Sequence, residues 1–224
     1  MQKGDFVEID YVAKIMETNK VFDTTMKDKA KEYQIYKESF KYEPIKIVVG
    51  AEYVIKGMDE ALYKMNVGEE RSIEIPPEKG FGRRDPKLIV KVPLREFRKH
   101  NMSPRPGTRI EINGRWATVR NVSSGRVNLD FNHFLAGRNL IYDIKINSKI
   151  EDIDEKIKIL MRLNMGAELE YILEEGDLKI KDKKDIDDIL KENLLKAIKD
   201  YIPEIKNVEY VEELKKEENK GLKA

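Results

Sequence analysis

Thiol and imidazole side chains, which often serve as nucleophiles and metal ligands, are scarce in this sequence. Among 224 residues there is no cysteine, and the only two histidines are His100 and His133. The missing thiols exclude disulfides, thiolate metal sites and a cysteine nucleophile. We expect His133, in the run NHFLAG, to be a hydrogen-bonded structural residue of a turn, and His100, in the polar run REFRKHN, to be exposed. No metal and no cofactor is expected.

The composition describes a globular protein with balanced charge. About 40% of the residues are hydrophobic and 38% are charged, and 43 Lys and Arg residues face 42 Asp and Glu residues. A formal net charge of +1 provides no overall field for attracting nucleic acid or an anionic membrane. The N-terminus lacks the apolar run of a signal peptide, and no stretch approaches the ~18 apolar residues of a spanning helix. We therefore expect a cytoplasmic protein that binds neither nucleic acid nor membrane.

Alternating apolar residues predict four strands and a short helix in a first domain. The strands lie at residues 5–15, 45–49, 71–75 and 140–146. The helix carries an apolar stripe at i, i+3, i+4 and i+7, followed by Gly68 as its stop; the stripe is Met58, Ala61, Leu62 and Met65. The Lys- and Glu-rich residues 24–43 are predicted to form an exposed connection that has room for a helical turn.

Residues 83–138 have the turns and alternation of a separate all-β unit inserted into the first domain. Leu88, Val90 and Val92 alternate, and Asn113-Gly114 lies between apolar runs, where both turn positions need a positive φ. Ser124-Gly125 is a second candidate turn, and residues 104–107 mark a loop.

The last 75 residues predict a small α+β module. A helix carries Ile153, Ile157 and Leu160, and a hairpin turns near Gly176-Asp177. A longer helix follows, capped by Asp185 and ended by Pro203; its predicted apolar stripe is Ile186, Ile189, Leu190, Leu194, Ala197, Ile198 and Tyr201. A short strand at 208–211 precedes a Lys- and Glu-rich tail. Because roughly 65 ordered residues are marginal alone, we expect this module to pack on a neighbour, to bind a client or to form a two-fold dimer contact.

Four motifs, in order, resemble those of the FKBP-type prolyl isomerases. They are DYVAKI with VFDTT, then VIKGMDEALYKMNVGE, then PPEKGFG, and finally NHFLAGRNLIYDIKI, which is close to the closing segment of the SlyD-like branch. That branch places an insert-in-flap domain between the third and fourth motifs, where the β unit lies here. The resemblance covers roughly residues 1–148 and implies an α+β fold with an antiparallel half-barrel sheet and a short helix. The implied domains are an isomerase domain (1–83 plus 138–148), an insert-in-flap chaperone domain (84–137) and a C-terminal α+β domain (149–224).

The resemblance also implies a site for the prolyl ring. Nine residues match positions of the family pocket: Tyr11, Phe22, Asp23, Ile45, Val54, Ile55, Met58, Phe81 and Tyr142. Among them Asp23 is the lone acidic residue, and the backbone N–H of Ile55 would bond a carbonyl of the bound peptide. Met58 stands where the best-known members have Trp, and Phe81 lacks the hydroxyl of the Tyr found in relatives.

Each pocket residue also has a purely structural interpretation. Tyr11, Phe22 and Tyr142 fit the apolar faces of strands, Asp23 fits a turn before two threonines, and Met58 fits the helix stripe. The order of the four motifs is what favours the site.

The inserted module implies a surface for unfolded chains. Eight apolar residues are candidates for that surface, although half of them could instead form the module's own core: Ile89, Val92, Leu94, Phe97, Met102, Ile110, Trp116 and Val119. The expected function is prolyl isomerisation with chaperone activity toward proline-containing peptides and unfolded chains. A non-catalytic holdase with the same fold is the alternative, and a nucleic-acid-associated factor is disfavoured by the balanced charge.

Overall fold

A computed structural model of the chain describes residues 1–183 and 186–214. The strands are β1 (Phe6–Ile15), β2 (Lys20–Thr24), β3 (Ile45–Val48), β4 (Glu70–Ile75), β5 (Ile89–Pro93), β6 (Arg109–Ile112), β7 (Arg115–Ser123), β8 (Arg126–Asp130), β9 (Leu140–Ile150), β10 (Tyr171–Glu174), β11 (Asp177–Lys181) and β12 (Asn207–Val211). The helices are α1 (Lys27–Glu32), α2 (Lys56–Leu62), α3 (Leu94–Lys99), α4 (Ile153–Met165) and α5 (Asp188–Tyr201). Within these described residues, no helix has the length and apolar character needed to cross a bilayer.

The largest sheet has the strand order β2-β1-β9-β4, with β3 paired antiparallel to β1. The predicted alternation in β9 is confirmed, because Leu140, Tyr142, Ile144 and Ile146 are all buried. Strand β1 departs from strict alternation at its start, where Phe6 is buried as well as Val7. Phe6 belongs to the core cluster of the C-terminal module, which covers that end of the strand.

Helix α2 is shorter than its apolar stripe suggests. It ends at Leu62, after which the N–H groups of Lys64 and Met65 bond to carbonyls three residues back. Met58, Leu62 and Met65 are buried as predicted, but the helix has stopped six residues before Gly68. Gly68 instead has a φ of +81° in the following turn.

The inserted sheet has the order β5-β8-β7-β6. Both predicted turns are confirmed, with φ of 50° and 73° at Asn113-Gly114 and of 50° and 70° at Ser124-Gly125. The alternation proposed for Leu88, Val90 and Val92 was wrong. Strand β5 begins only after Leu88, and Val90 is exposed, because β5 is an edge strand that the small core does not cover. That core consists of Phe97, Ala117, Val119, Val127 and Leu129.

The C-terminal module contains α4, α5 and a sheet ordered β10-β11-β12, in which β11 and β12 are parallel. The hairpin turns at Glu175-Gly176, one residue earlier than predicted. The predicted cap Asp185 and the tail from 215 onward lie outside the described residues; the Asp187 side chain accepts the Ile189 N–H at 2.8 Å. The predicted stripe was wrong at Ile189, which is 67% exposed.

One core cluster joins the C-terminal module to the N-terminal strands. Ile157, Leu160 and Ile198 share it with Phe6 of β1 and Val48 of β3. The expected packing on a neighbour is thus confirmed. The described chain divides into two compact units, one of 1–12, 23–73 and the residues from 143 on, the other of 13–22 and 74–142. The three-domain division inferred from the sequence stays a prediction.

Candidate active site

Tyr11 and Asp23 are hydrogen-bonded to each other across neighbouring strands. Tyr11 lies in β1 and its hydroxyl donates to Asp23 Oδ2 at 2.8 Å. The other carboxylate oxygen, Oδ1, accepts the Thr24 N–H at 2.9 Å. Because both oxygens have donors, the carboxylate is held in one orientation, and it orients the phenol in turn.

Two buried threonines after Asp23 attach the end of β2 to β1. The Thr24 hydroxyl donates to the Tyr11 carbonyl at 2.8 Å, and Thr25 Oγ1 accepts the Tyr11 N–H at 3.0 Å. Thr25 also donates to Asp10, which accepts a further bond from Asn147 of β9. Sequence reasoning assigned no role to these threonines; their signal is the run VFDTT, in which two β-branched hydroxyl residues follow the acid.

A cavity of about 780 Å³ opens beside this network. Three of the predicted pocket residues line it, namely Tyr11, Ile45 of β3 and Val54. The volume lies within the range of pockets that enclose small ligands. Tyr11 therefore presents its hydroxyl edge to Asp23 while part of its surface faces open space.

Aromatic rings converge separately in the second compact unit. Phe22 and Tyr142 meet edge to face, with centroids 6.1 Å apart and planes at 76°. Phe22 makes a second edge contact with Phe134 at 6.5 Å. Edge-to-face geometry is the favoured arrangement of aromatic pairs and adds about 0.5–1.5 kcal/mol beyond area burial. Tyr142 is buried, whereas Phe22 is partly exposed and Phe134 is 47% exposed.

Phe81 stacks on His133 rather than standing alone. The centroids of the two rings are 4.5 Å apart and the ring planes are nearly parallel. The centroid of the His133 ring lies 4.8 Å from that of Phe134. The Gly137 N–H donates to the Gly82 carbonyl at 2.8 Å, which ties the NHFLAG turn to the segment that carries Phe81. Local sequence patterns do not indicate this stacking, because the two residues are far apart in the chain.

His133 is a neutral structural residue in this arrangement. Its Nδ1 accepts the Leu135 N–H at 3.3 Å, and its carbonyl accepts the Ala136 N–H at 2.9 Å. Burial, and then the positive charge of Arg109, lower the pKa of His133 below its ordinary value. The prediction of a hydrogen-bonded turn residue is confirmed, and its ring also supports Phe81.

Ile55 and Met58 lie at the start of α2. The Ile55 carbonyl accepts the N–H groups of Met58 and Asp59 at 2.9 and 3.1 Å, so the backbone of Ile55 is fixed at the helix N-cap. Met58 is only 2% exposed, as its structural interpretation expects. Its part in the floor of a prolyl pocket stays a prediction.

The structure sorts the eight candidates for a client surface on the inserted module. Phe97 and Val119 are buried in the module's own core, so the prediction of exposure was wrong for them. Phe97 projects from α3 and Val119 from β7, and both belong to that core. Ile89 and Trp116 are 37% and 55% exposed. The others pack partly buried against the core: Val92, Leu94, Met102 and Ile110.

Two family models match adjoining parts of the chain. Residues 1–93 match the FKBP-type peptidyl-prolyl cis-trans isomerase model, and residues 90–135 match the model of the FKBP26 IF domain. A short-type peptidyl-prolyl cis-trans isomerase of Methanocaldococcus jannaschii is 42% identical over 146 residues, which are 65% of this chain and 92% of the relative. A probable FKBP-type 16 kDa peptidyl-prolyl cis-trans isomerase of Pseudomonas fluorescens is 30% identical over 48% of this chain and 74% of the relative. The FKBP-type isomerase SlyD of Helicobacter pylori is 29% identical over 51% of this chain and 64% of the relative.

The mixed α+β fold, the aromatic clusters and these similarities define the class of protein as a peptidyl-prolyl cis-trans isomerase. Within that class, the chain belongs to the FKBP-type family and carries the insert-in-flap domain of its SlyD-like branch. The expectation drawn from the four sequence motifs is confirmed.

Proposed function

We propose that the enzyme catalyses X-Pro rotation by desolvating the amide in an apolar pocket. The barrier of roughly 18–20 kcal/mol exists because rotation destroys amide resonance. The planar amide has more charge separation than the twisted one, so transfer from water to an apolar pocket costs the planar ground state more. Such catalysis needs a dry cavity and a well-placed hydrogen bond, without a nucleophile.

The observation that carries this proposal is the Tyr11–Asp23 hydrogen bond at the edge of the cavity. It fixes one polar group next to Ile45 and Val54, which supply aliphatic walls. The ring contact between Phe22 and Tyr142 supports the proposal that these two predicted pocket residues contribute aromatic surface to the site. Since Phe81 is stacked on an imidazole and has no hydroxyl, we assign it a packing role against the substrate rather than a hydrogen bond.

The inserted module is proposed to hold unfolded chains for the isomerase. Ile89 and Trp116 are exposed apolar side chains on this module, and exposed apolar groups are the expected contacts for unselective binding of unfolded polypeptide. Tethering a client there raises its effective concentration at the prolyl pocket. Proline-containing peptides and unfolded chains are therefore the proposed partners, and association of two copies through the C-terminal module is proposed as well.

The division of labour is tested with two substrates and one double variant. Wild-type enzyme is expected to catalyse both isomerisation of a short proline peptide and refolding of a proline-limited protein. In Ile89→Ser with Trp116→Ser, the ratio of refolding activity to peptide activity should fall about tenfold, because tethering is lost while the pocket is intact. Val67→Ser, which removes an exposed apolar residue outside the module, is the control and should leave the ratio unchanged.

A non-catalytic holdase is the second candidate, favoured by the absence of a hydroxyl at Phe81 and by the buried, flexible Met58. The two candidates separate on the short peptide alone. A wild-type enzyme that prevents aggregation of an unfolded protein yet leaves the peptide rate at its uncatalysed value would establish the holdase. The cytoplasmic location and the absence of nucleic-acid and membrane partners stay predictions from the composition.

A further inference from the structure

The cavity beside Tyr11 extends well beyond the residues that the family pattern predicts. Its outer wall is built by two other segments, the connection between α1 and β3 and the C-terminal helix α4. Phe40 and Pro44 come from the connection, and Leu163 comes from α4, on the face that also carries Ile159. All of these residues lie in the same compact unit as Tyr11.

Phe40 is held in place while it remains exposed. Its ring packs edge-on against Tyr42 at 5.0 Å, and Tyr42 stacks on Tyr36 at 5.4 Å. The Tyr42 hydroxyl also accepts the Lys37 N–H at 3.0 Å. Phe40 is nevertheless 53% exposed, so a large apolar ring is presented to the cavity mouth by a small organised cluster.

Helix α4 is held beside the cavity by two polar contacts. Asn164 Nδ2 donates to the Tyr53 hydroxyl at 2.8 Å, next to Val54, and Lys46 of β3 pairs with Glu155. Ile159 is buried in the core, whereas Leu163 is only partly buried against it. Ile159 and Leu163 both line the cavity, and Leu163 is the more accessible of the two.

The charged residues around this cavity are paired with one another. Lys41 bonds Glu43 at 2.6 Å, and Arg162 bonds Glu168. Lys46 pairs with Glu155 and also lies 3.8 Å from Glu8, the remaining charged residue of the lining. A ligand that enters would therefore meet neutralised charges at the rim and aliphatic and aromatic surface between them. This chemistry favours an apolar occupant over a charged one.

We propose that Phe40 and Leu163 form an extension of the substrate site that binds apolar residues flanking the prolyl residue of an extended client. The proposal rests on the proposed prolyl pocket, because Tyr11, Ile45 and Val54 line the same cavity. It gives the C-terminal module a direct part in choosing substrates.

The test uses the full chain and two peptides. One is a four-residue proline peptide, and the other is an eight-residue peptide with Leu and Phe on both sides of a central proline. In Phe40→Ala and in Leu163→Ala, kcat/KM for the long peptide relative to the short one should fall about three- to tenfold, mainly through KM, since one apolar contact is lost. A long peptide with Ala in place of Leu and Phe should show no such fall.

Matched variants separate this effect from general destabilisation. Tyr33→Ala removes an exposed aromatic ring that precedes Phe40 in the chain and does not line the cavity, and Leu173→Ala removes a leucine that is partly buried against the same core as Leu163. Both should leave the ratio of the two peptides unchanged. Equal ratios in all four variants and wild type would overturn the extension alone, whereas wild-type enzyme inactive on the short peptide would overturn the proposed pocket as well.

Discussion

Asp130 is the most strongly bound carboxylate in the inserted module. It is 1% exposed and accepts bonds from Arg84 Nε at 2.9 Å, Arg120 Nη1 at 3.0 Å and the Asn132 N–H at 3.0 Å. Burial alone raises the pKa of Asp130, but the hydrogen bonds from Asn132, Arg84 and Arg120 outweigh it and lower the pKa to about 2. The last residue of β8 thereby fixes the segment that enters the module.

We expect Asp130→Asn to destabilise the module by about 2–3 kcal/mol at pH 7, since charge-assisted bonds are lost. The folded pKa lies below the unfolded value of about 3.9, so the charged group's stabilisation is complete above that value and is lost as the pH falls toward 2. The difference between wild type and variant should therefore shrink on acidification. Fluorescence of Trp116, the only tryptophan, reports unfolding of this module.

Asp85→Asn is the control for that experiment, because Asp85 is exposed and an asparagine can still accept the Lys87 N–H. Its stability should match wild type at every pH. A difference for Asp130→Asn that stays constant from pH 7 to pH 3 would contradict the assigned role of its charge.

At the scale of single residues, the sequence predicts a shared site where a known motif contains both residues, but it does not predict contacts that depend on how distant segments pack. Tyr11 and Asp23 are assigned to one site through the family resemblance, and the structure joins them by a hydrogen bond. The stacking of Phe81 on His133 could not be predicted, since it depends on the bond between Gly137 and Gly82. Phe40 likewise escapes prediction, because an aromatic residue within a polar connection has no periodicity to mark its surroundings.

Among the elements, the turn between β3 and α2 depends on Gly50. Its φ is +76°, and a Cβ there would lie 2.0 Å from the Tyr63 hydroxyl oxygen. The Gly50 N–H also donates to the buried Asp59 of α2 at 2.7 Å. This small turn therefore sets the position from which Val54 and Ile55 enter the helix.

Gly50→Ala is expected to cost at least about 1 kcal/mol more than Gly68→Ala, as measured by urea unfolding. Both glycines have a positive φ, with about 1 kcal/mol of strain for an alanine, but a Cβ at Gly68 would meet no atom within 4 Å. Most of the excess is the overlap with Tyr63. In a Tyr63→Ala background the excess cost of Gly50→Ala should shrink to the smaller part that comes from Lys3 Cγ, 2.9 Å from the same Cβ. A Gly50→Ala cost equal to that of Gly68→Ala would show that Tyr63 moves aside at no cost.

The position of a helix, strand or turn can be predicted from its own residues, but which of its side chains are buried depends on tertiary packing. The Asn113-Gly114 and Ser124-Gly125 hairpins follow from turn residues alone. Ile189 and Leu190 fit the helical period of α5 and yet are exposed, because the C-terminal core covers only the side of Leu194 and Ile198. Periodicity identifies an apolar face but does not show how far along the helix that face is covered.

At the scale of the whole molecule, the net charge is close to zero although positive and negative residues are distributed unevenly between the inserted module and the rest of the chain. Residues 84–137 contain eleven Lys and Arg against four Asp and Glu, so the inserted module has an excess of seven positive charges, offset by an excess of six negative charges elsewhere. Balanced charge therefore disfavours anionic partners for the chain as a whole but not for this module. We therefore expect the module, in its proposed role of holding unfolded chains, to favour acidic segments.

The exposed pair Ile189 and Leu190 supports the proposed association of two copies. We expect wild-type enzyme to sediment as a dimer at micromolar concentration and Ile189→Asp to sediment as a monomer, because a charge in an apolar contact is strongly unfavourable. Lys199→Asp changes charge elsewhere on α5 and should leave the dimer intact. Wild-type enzyme that remains monomeric across the concentration series would contradict the proposal.

The core that Phe6 shares with Ile198 also has a consequence for biosynthesis. The first strand leaves the ribosome almost two hundred residues before the helix that completes its packing. At roughly 5–20 residues per second, Phe6 waits on the order of ten to forty seconds for its partners. During translation the nascent enzyme is thus itself an incompletely buried chain, of the kind on which it is expected to act.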